Sequence, residues 1–147
     1  MAICRSLIAS AILYAISISP SLSQWRPTGE LLTFSSKNRC ERTAGRVAAI
    51  NDGILYFCPA RAAEVDAQVS DASHFYVVHE YGHLAIHTTS TKLADCWAAH
   101  KLASAPKGSH YIRQWIKHWR TYGTADAAYG TAEERISNVR SCCACGA

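Results

Sequence analysis

The chain has 147 residues, a formal charge of +4 and 18% charged residues, which suits one domain of ordinary globular composition. Its basic residues are dispersed, apart from Arg113, Lys117 and Arg120, whose spacing fits the solvated face of one helix. That pattern excludes a nucleic-acid module built on a basic stripe.

The amino terminus has the features of an export signal. Arg5 supplies a positive start, and Leu7 to Ile18 form an apolar run too short to span a membrane. Ser19-Pro20 break the run, and Ser21-Leu22-Ser23 place small residues around a cleavage point before Gln24. The expected organisation is a signal peptide over 1–23 and one domain over 24–147. The expected location is secreted or periplasmic, with no membrane contact after cleavage. Roughly 124 residues then remain, enough for a core. They carry Cys40, Cys58, Cys96, Cys142, Cys143 and Cys145. An even number behind an export signal predicts disulfides. The pairing expected is Cys40 with Cys58, and Cys96 with one of the three carboxy-terminal cysteines. A second metal site in that tail lacks the two spaced ligand pairs that structural zinc usually takes.

Residues 24–29 read as an irregular lead-in with Pro27 and Gly29, and Leu31 to Phe34 as a short strand. Arg46 to Ile50 and Ile54 to Cys58 flank Asn51-Asp52-Gly53, an Asp-Gly hairpin signal. Pro59 ends the second strand, and Ala60 to Val69 reads as a helix. The next helix should start near Asp71 or Ser73, both good N-caps, and break between Thr88 and Ser90. Another spans Thr91 to Ser104, stopped by Pro106 and Gly108. In Ser109 to Tyr122 the residues Tyr111, Ile112, Trp115, Ile116, Trp119 and Tyr122 recur at helical spacing and mark a core face. A last helix runs from Thr131 to Ser141, where Thr131 and Glu134 fit a capping box. The class is α+β: a small antiparallel sheet, then a mainly helical part.

The second of these helices carries the chemistry. His79-Glu80-Tyr81-Gly82-His83 is an H-E-x-x-H motif between Phe75-Tyr76-Val77-Val78 and Leu84-Ala85-Ile86. Positions i and i+4 share one helix face, so two imidazoles can hold one Zn²⁺ from the same side. Glu80 then reaches a metal-bound water and can accept its proton. A catalytic zinc usually has three protein ligands. His87 fails as the third, because eight residues from His79 is about 12 Å along a helix. A metzincin continuation fails as well, at Ile86 and Thr89. If the chain turns back near Thr89, Asp95 returns level with His83 and can complete the site. His100 would face elsewhere, as a surface or cleft histidine.

The HEYGH motif followed by Ala94-Asp95-Cys96-Trp97-Ala98-Ala99 resembles small secreted bacterial zinc metallopeptidases of the gluzincin-like type, over about residues 75–103. In that pattern a glutamate four residues before the aspartate is the third ligand, and the aspartate orients a zinc histidine. This chain has Thr91 at the glutamate position. Either Asp95 has become the third ligand or the site is incomplete, and the first is the reading taken. The expected function is therefore peptide-bond hydrolysis by a zinc metallopeptidase. His79, His83 and Asp95 hold Zn²⁺, and Glu80 assists the attack of zinc-bound water on a peptide or protein substrate paired along the sheet edge. Oxyanion donors could be His110, Tyr111, Tyr129 or Arg135. Each also has a plainer role: core aromatics for the two tyrosines, a cap for His110, a surface ion-pair partner for Arg135. The alternative function is a zincin-like zinc-binding effector or inhibitor without turnover. A monomer is expected, with no nucleic-acid partner.

Overall fold

Asp52 and Gly53 both adopt positive φ, 52° and 69°, the backbone that a two-residue hairpin turn requires. They join β2 (Ala48–Asn51) to β3 (Ile54–Phe57) with Ala48 opposite Phe57 and Asn51 opposite Ile54. The computed structural model describes residues 37–125, 127 and 129–143. The expected signal peptide, the lead-in, the strand at 31–34 and Cys145 lie outside the described residues. A two-residue strand, β1 (Lys37–Asn38), lies parallel to β3, so the sheet order is β1-β3-β2. No periodicity in the sequence announced β1, since two residues cannot display alternation.

Among the described residues five α-helices follow: α1 (Pro59–Gln68), α2 (Ser73–Ala85), α3 (Thr91–Ala103), α4 (Gly108–Tyr122) and α5 (Ala132–Cys143). This is the expected α+β layout. Pro59 does not simply end β3. It is the first residue of α1, where its missing N–H costs nothing. Neither Asp71 nor Ser73 caps α2 with its side chain. The carboxylate of Asp66, on α1, accepts from both the backbone N–H and the hydroxyl of Ser73, each at 2.8 Å. At α5 the capping box forms as read. Thr131 N–H donates to Glu134 Oε2 at 2.7 Å, and Glu134 N–H donates to Thr131 Oγ1 at 3.2 Å.

Helix α2 lies between two apolar clusters. Phe75 and Val78 pack with Ala98, Ile112, Trp115 and Ile136 on one side. Val77 packs with Val47, Leu55, Phe57 and Val65 on the other. Tyr76 touches both clusters. Among the described residues, the disulfides Cys40–Cys58 at the sheet and Cys96–Cys142 between α3 and α5 fasten the margins. Both follow the expected pairing. Arg113, Lys117 and Arg120 are exposed on α4, as read. No helix among the described residues is long and apolar enough to cross a membrane.

The contact of α2 with α3 is close at Gly82. A Cβ there would stand 3.0 Å from the Ala94 carbonyl oxygen and 3.2 Å from a ring carbon of Trp97. The oxygen belongs to helix backbone and cannot turn aside. Gly82→Val is expected to lower stability by about 1–3 kcal/mol through overpacking, measurable as a fall in the midpoint of urea unfolding. An unchanged midpoint would contradict this packing.

Candidate metal centre

Two imidazoles converge on one face of α2. His79 Nε2 and His83 Nε2 lie 3.2 Å apart, with their rings perpendicular. Two nitrogens each 2.0–2.1 Å from a tetrahedral Zn²⁺ would stand about 3.3–3.4 Å apart. The observed spacing therefore suits two ligands of one ion. The far nitrogen of each ring has an oxygen beside it, and a proton held there would leave Nε2 as the lone pair offered to an ion.

For His83 the fixing group comes from the way α2 ends. Thr88 N–H donates to His83 O at 3.1 Å, and His87 N–H donates to Leu84 O at 3.3 Å. His87 is left-handed, with φ of 50°. This is the Schellman arrangement, in which a left-handed residue just past the helix lets the chain satisfy its last carbonyls. It ends α2 at Ala85, several residues before the break expected between Thr88 and Ser90. It also brings the Thr88 carbonyl to 2.8 Å from His83 Nδ1, which donates to it. His87, the residue that spacing first offered as a ligand, is thus an exposed turn residue.

For His79 the partner is Asp95. Asp95 Oδ1 lies 2.7 Å from His79 Nδ1, an ion-pair contact that is short but bent away from a linear N–H···O bond. The same carboxylate takes two hydrogen bonds from Arg135, Nε to Oδ2 at 2.8 Å and Nη2 to Oδ1 at 2.9 Å. Both groups are buried, Asp95 fully. The expectation that Asp95 joins His79 and His83 on the metal does not fit this geometry. Its oxygens are engaged by Arg135 and by Nδ1, on the side of the ring opposite Nε2. The level-matching that paired it with His83 treated α2 and α3 as parallel rods, whereas packed helices cross at an angle. Among the described residues, no cluster of three or more His, Cys, Asp or Glu side chains could hold a metal ion. Thr91, at the position where the resemblance implies a glutamate ligand, is the first residue of α3. The donors present therefore fit Zn²⁺ as a pair of imidazoles, not as a complete protein set.

Arg135 departs most from its expected surface role. It is 4% exposed. Its guanidinium lies 4.2 Å from the ring centre of Tyr129, 4.4 Å from Trp119 and 5.2 Å from Trp115. The stripe of α4 is core at Tyr111, Ile112, Trp115 and Ile116, but Trp119 is half-buried and Tyr122 is exposed, and Trp115 and Trp119 form part of the aromatic enclosure of Arg135. Burial alone would raise the Asp95 pKa, but the hydrogen bonds from Arg135 and the close contact with His79 outweigh it and hold the carboxyl below its ordinary value.

Glu80 is nearly buried, and together with His79 it lines a cavity of about 350 Å³. The start of β2, Tyr76, His118, Trp119 and Tyr129 form much of the remaining wall. Of the four candidate oxyanion donors, Tyr129 and Arg135 line it, whereas His110 and Tyr111 do not. His110 instead pairs with Asp71 at 2.9 Å, and Tyr111 is core, stacked on His74. His100 is exposed, as expected.

Sequence reading missed Tyr76 and His118. Gln68 Oε1 accepts from His118 Nε2 at 2.8 Å, so Nδ1 is bare and accepts from the Tyr76 hydroxyl at 2.9 Å. Burial, then the charge of Arg61, lowers the His118 pKa, and burial raises that of the Tyr76 phenol. Both groups stay neutral near pH 7. A polar residue inside the aromatic stripe of α4 was the available signal for His118.

The chain matches no protein-family model, no curated protein and no solved structure.

Two outcomes test these assignments. His87→Gly removes a left-handed strain at some cost in chain entropy, so stability should be unchanged or higher by up to about 1 kcal/mol. A clear loss in thermal unfolding would assign the imidazole a role that the backbone geometry does not give it. Asp95→Asn leaves Arg135 buried beside a neutral partner and should cost about 3–5 kcal/mol at pH 7. The lowered pKa means that the Asp95 contribution is present above its unfolded value of about 3.9 and is lost as pH falls through the lower folded value. Stability followed from pH 7 down to about pH 2 should therefore show less acid-dependent loss in Asp95→Asn than in the parent chain. Parallel profiles would contradict the pairing.

Proposed function

We propose that the chain is an exported zinc-dependent peptidase acting as a monomer on peptide or protein substrates. The observation that carries this reading is the convergence of His79 and His83 Nε2 at 3.2 Å, with His79 and Glu80 lining one cavity. His79 and His83 would hold the ion. When bound, Zn²⁺ supplies Lewis-acid polarisation of the scissile carbonyl and lowers the pKa of water.

The chain's own residues do the rest. Glu80 accepts the proton of the attacking water and can return it to the leaving amine. Asp95, held by Arg135, keeps His79 turned toward the ion, and the Thr88 carbonyl does the same for His83. The substrate lies extended along β2, whose first residues line the cavity and whose outer side is the sheet edge. Edge N–H and C=O groups can pair with such a chain by β-augmentation. The disulfides Cys40–Cys58 and Cys96–Cys142 suit an oxidising compartment outside the cytoplasm, in line with the export signal read in 1–23.

A second reading is a zinc-binding protein without turnover. It draws on the two-imidazole donor set, one ligand short of the usual catalytic three among the described residues.

Glu80→Gln separates the two. Zinc content per chain should stay equal to that of the parent, and peptide hydrolysis should fall by about 10²- to 10⁴-fold. Asp95→Ala should weaken zinc binding by about 10- to 100-fold. A parent chain that binds zinc but cleaves nothing in a broad peptide screen would favour the second reading. A chain that takes up no stoichiometric zinc would end both.

A further inference from the structure

The cavity beside Glu80 is lopsided in charge. Among the described residues its wall carries three guanidinium groups, Arg46, Arg61 and Arg135, and one carboxylate, Glu80. The three cations are not equivalent. Arg135 is spent on Asp95 through Nε and Nη2 and is enclosed by aromatic rings. Arg61, half-buried on α1, gives Nη1 to Glu64 at 2.7 Å, so its charge is partly paired. Arg46, at the approach to β2, makes one side-chain bond among the described residues, from Nε to the Thr43 carbonyl at 3.4 Å. No carboxylate pairs with it there.

A guanidinium anchored through Nε presents its Nη groups as a fork that matches a carboxylate. The rest of the wall, Tyr76, Trp119, Tyr122 and Tyr129, offers flat apolar surface for the neighbouring part of a peptide. The volume of about 350 Å³ is at the small end of ligand sites, so one or two residues of a chain could enter. A cationic peptide would meet Arg46 and Arg61 as like charges, which selects against it.

We propose that Arg46, assisted by Arg61, receives a substrate carboxylate in this cavity, so that the chain prefers acidic peptides. This rests on the peptidase reading and names its substrate class. The carboxylate has two possible sources, an Asp or Glu side chain within the peptide and a free carboxy terminus. Both present the same planar anion to the fork.

The test measures binding apart from cleavage. The purified chain carrying Glu80→Gln is titrated calorimetrically with matched hexapeptides that carry Glu or Gln at each position in turn, each made as the free acid and as the terminal amide. The acidic member should bind roughly threefold to tenfold more tightly, less so at high salt, as expected for a partly exposed charge pair. A gain from Glu over Gln assigns a side-chain carboxylate, and a gain from free acid over amide assigns the terminus. Arg46→Gln should abolish the preference while leaving the neutral peptide bound equally well, and Arg46→Lys should restore part of it. Lys117→Gln, an exposed cation on α4 that does not line the cavity, should leave it intact.

Equal affinity for acidic and neutral peptides, a preference that survives Arg46→Gln, or no binding of any peptide up to millimolar concentration would overturn the proposal. Acidic preference in binding with no cleavage by the parent chain would instead sustain it while removing the peptidase reading.

Discussion

One buried ion pair organises the site. Arg135 on α5 and Asp95 on α3 meet through two parallel hydrogen bonds, and Asp95 in turn contacts His79 on α2. Removing two charges from water is expensive, and their attraction repays the cost only where the geometry is good and the remaining hydrogen-bonding capacity is used. Here the geometry is good. The fork is bidentate, and the aromatic faces of Trp119 and Tyr129 lie against the guanidinium. The pair fixes how three helices stand relative to one another. The Cys96–Cys142 bridge and the bond from Asn138 Nδ2 to the Lys92 carbonyl fasten the same α3–α5 contact from its margin. The orientation of one imidazole is thus a property of the whole helical layer.

The other imidazole is oriented by a different device, and the contrast is instructive. His83 depends only on how its own helix stops. The left-handed turn at His87 returns the Thr88 carbonyl under the ring within a few residues of chain. One imidazole is therefore set by long-range packing and the other by local backbone geometry. Between them, α2 is held on both faces, by the helical cluster around Trp115 and by the sheet cluster around Phe57. A helix clamped in this way can keep two side chains convergent without a third protein donor in contact.

The features legible in the sequence were those decided within a few residues. Asp52-Gly53 demands positive φ, and the hairpin register follows from it. Thr131 and Glu134 satisfy each other, so α5 starts where the capping box says. The i, i+4 spacing of His79 and His83 required no tertiary knowledge. The features that were not legible depend on distant partners. Arg135 looks like any basic residue of a polar helix until Asp95, forty positions earlier, is brought beneath it. Asp95 itself was identified as important, but its side of the ring depended on the crossing of α2 and α3. Tyr76 and His118 belong to one hydrogen-bonded line with Gln68 only because α1, α2 and α4 share the cavity wall. Asp66 capping the neighbouring helix is the same kind of case: a local rule satisfied by a non-local residue.

The placement of Glu80 bears on whether such a site turns over. A protein that only had to hold an ion would gain little from a carboxylate at a nearly buried position beside the two imidazoles, since desolvating a charge costs free energy unless it is paired. The pairing that would offset this cost for Glu80 is with the ion itself, with the proton of an activated water, or with a cationic wall. The wall supplies part of it, because the cavity is rich in arginine. That same excess of positive charge would stabilise the negative charge that develops on a carbonyl under attack, as preorganised cations do at low dielectric. A carboxylate, one imidazole of the convergent pair and three guanidinium groups line the same small cavity, which is the arrangement that the hydrolytic proposal draws on.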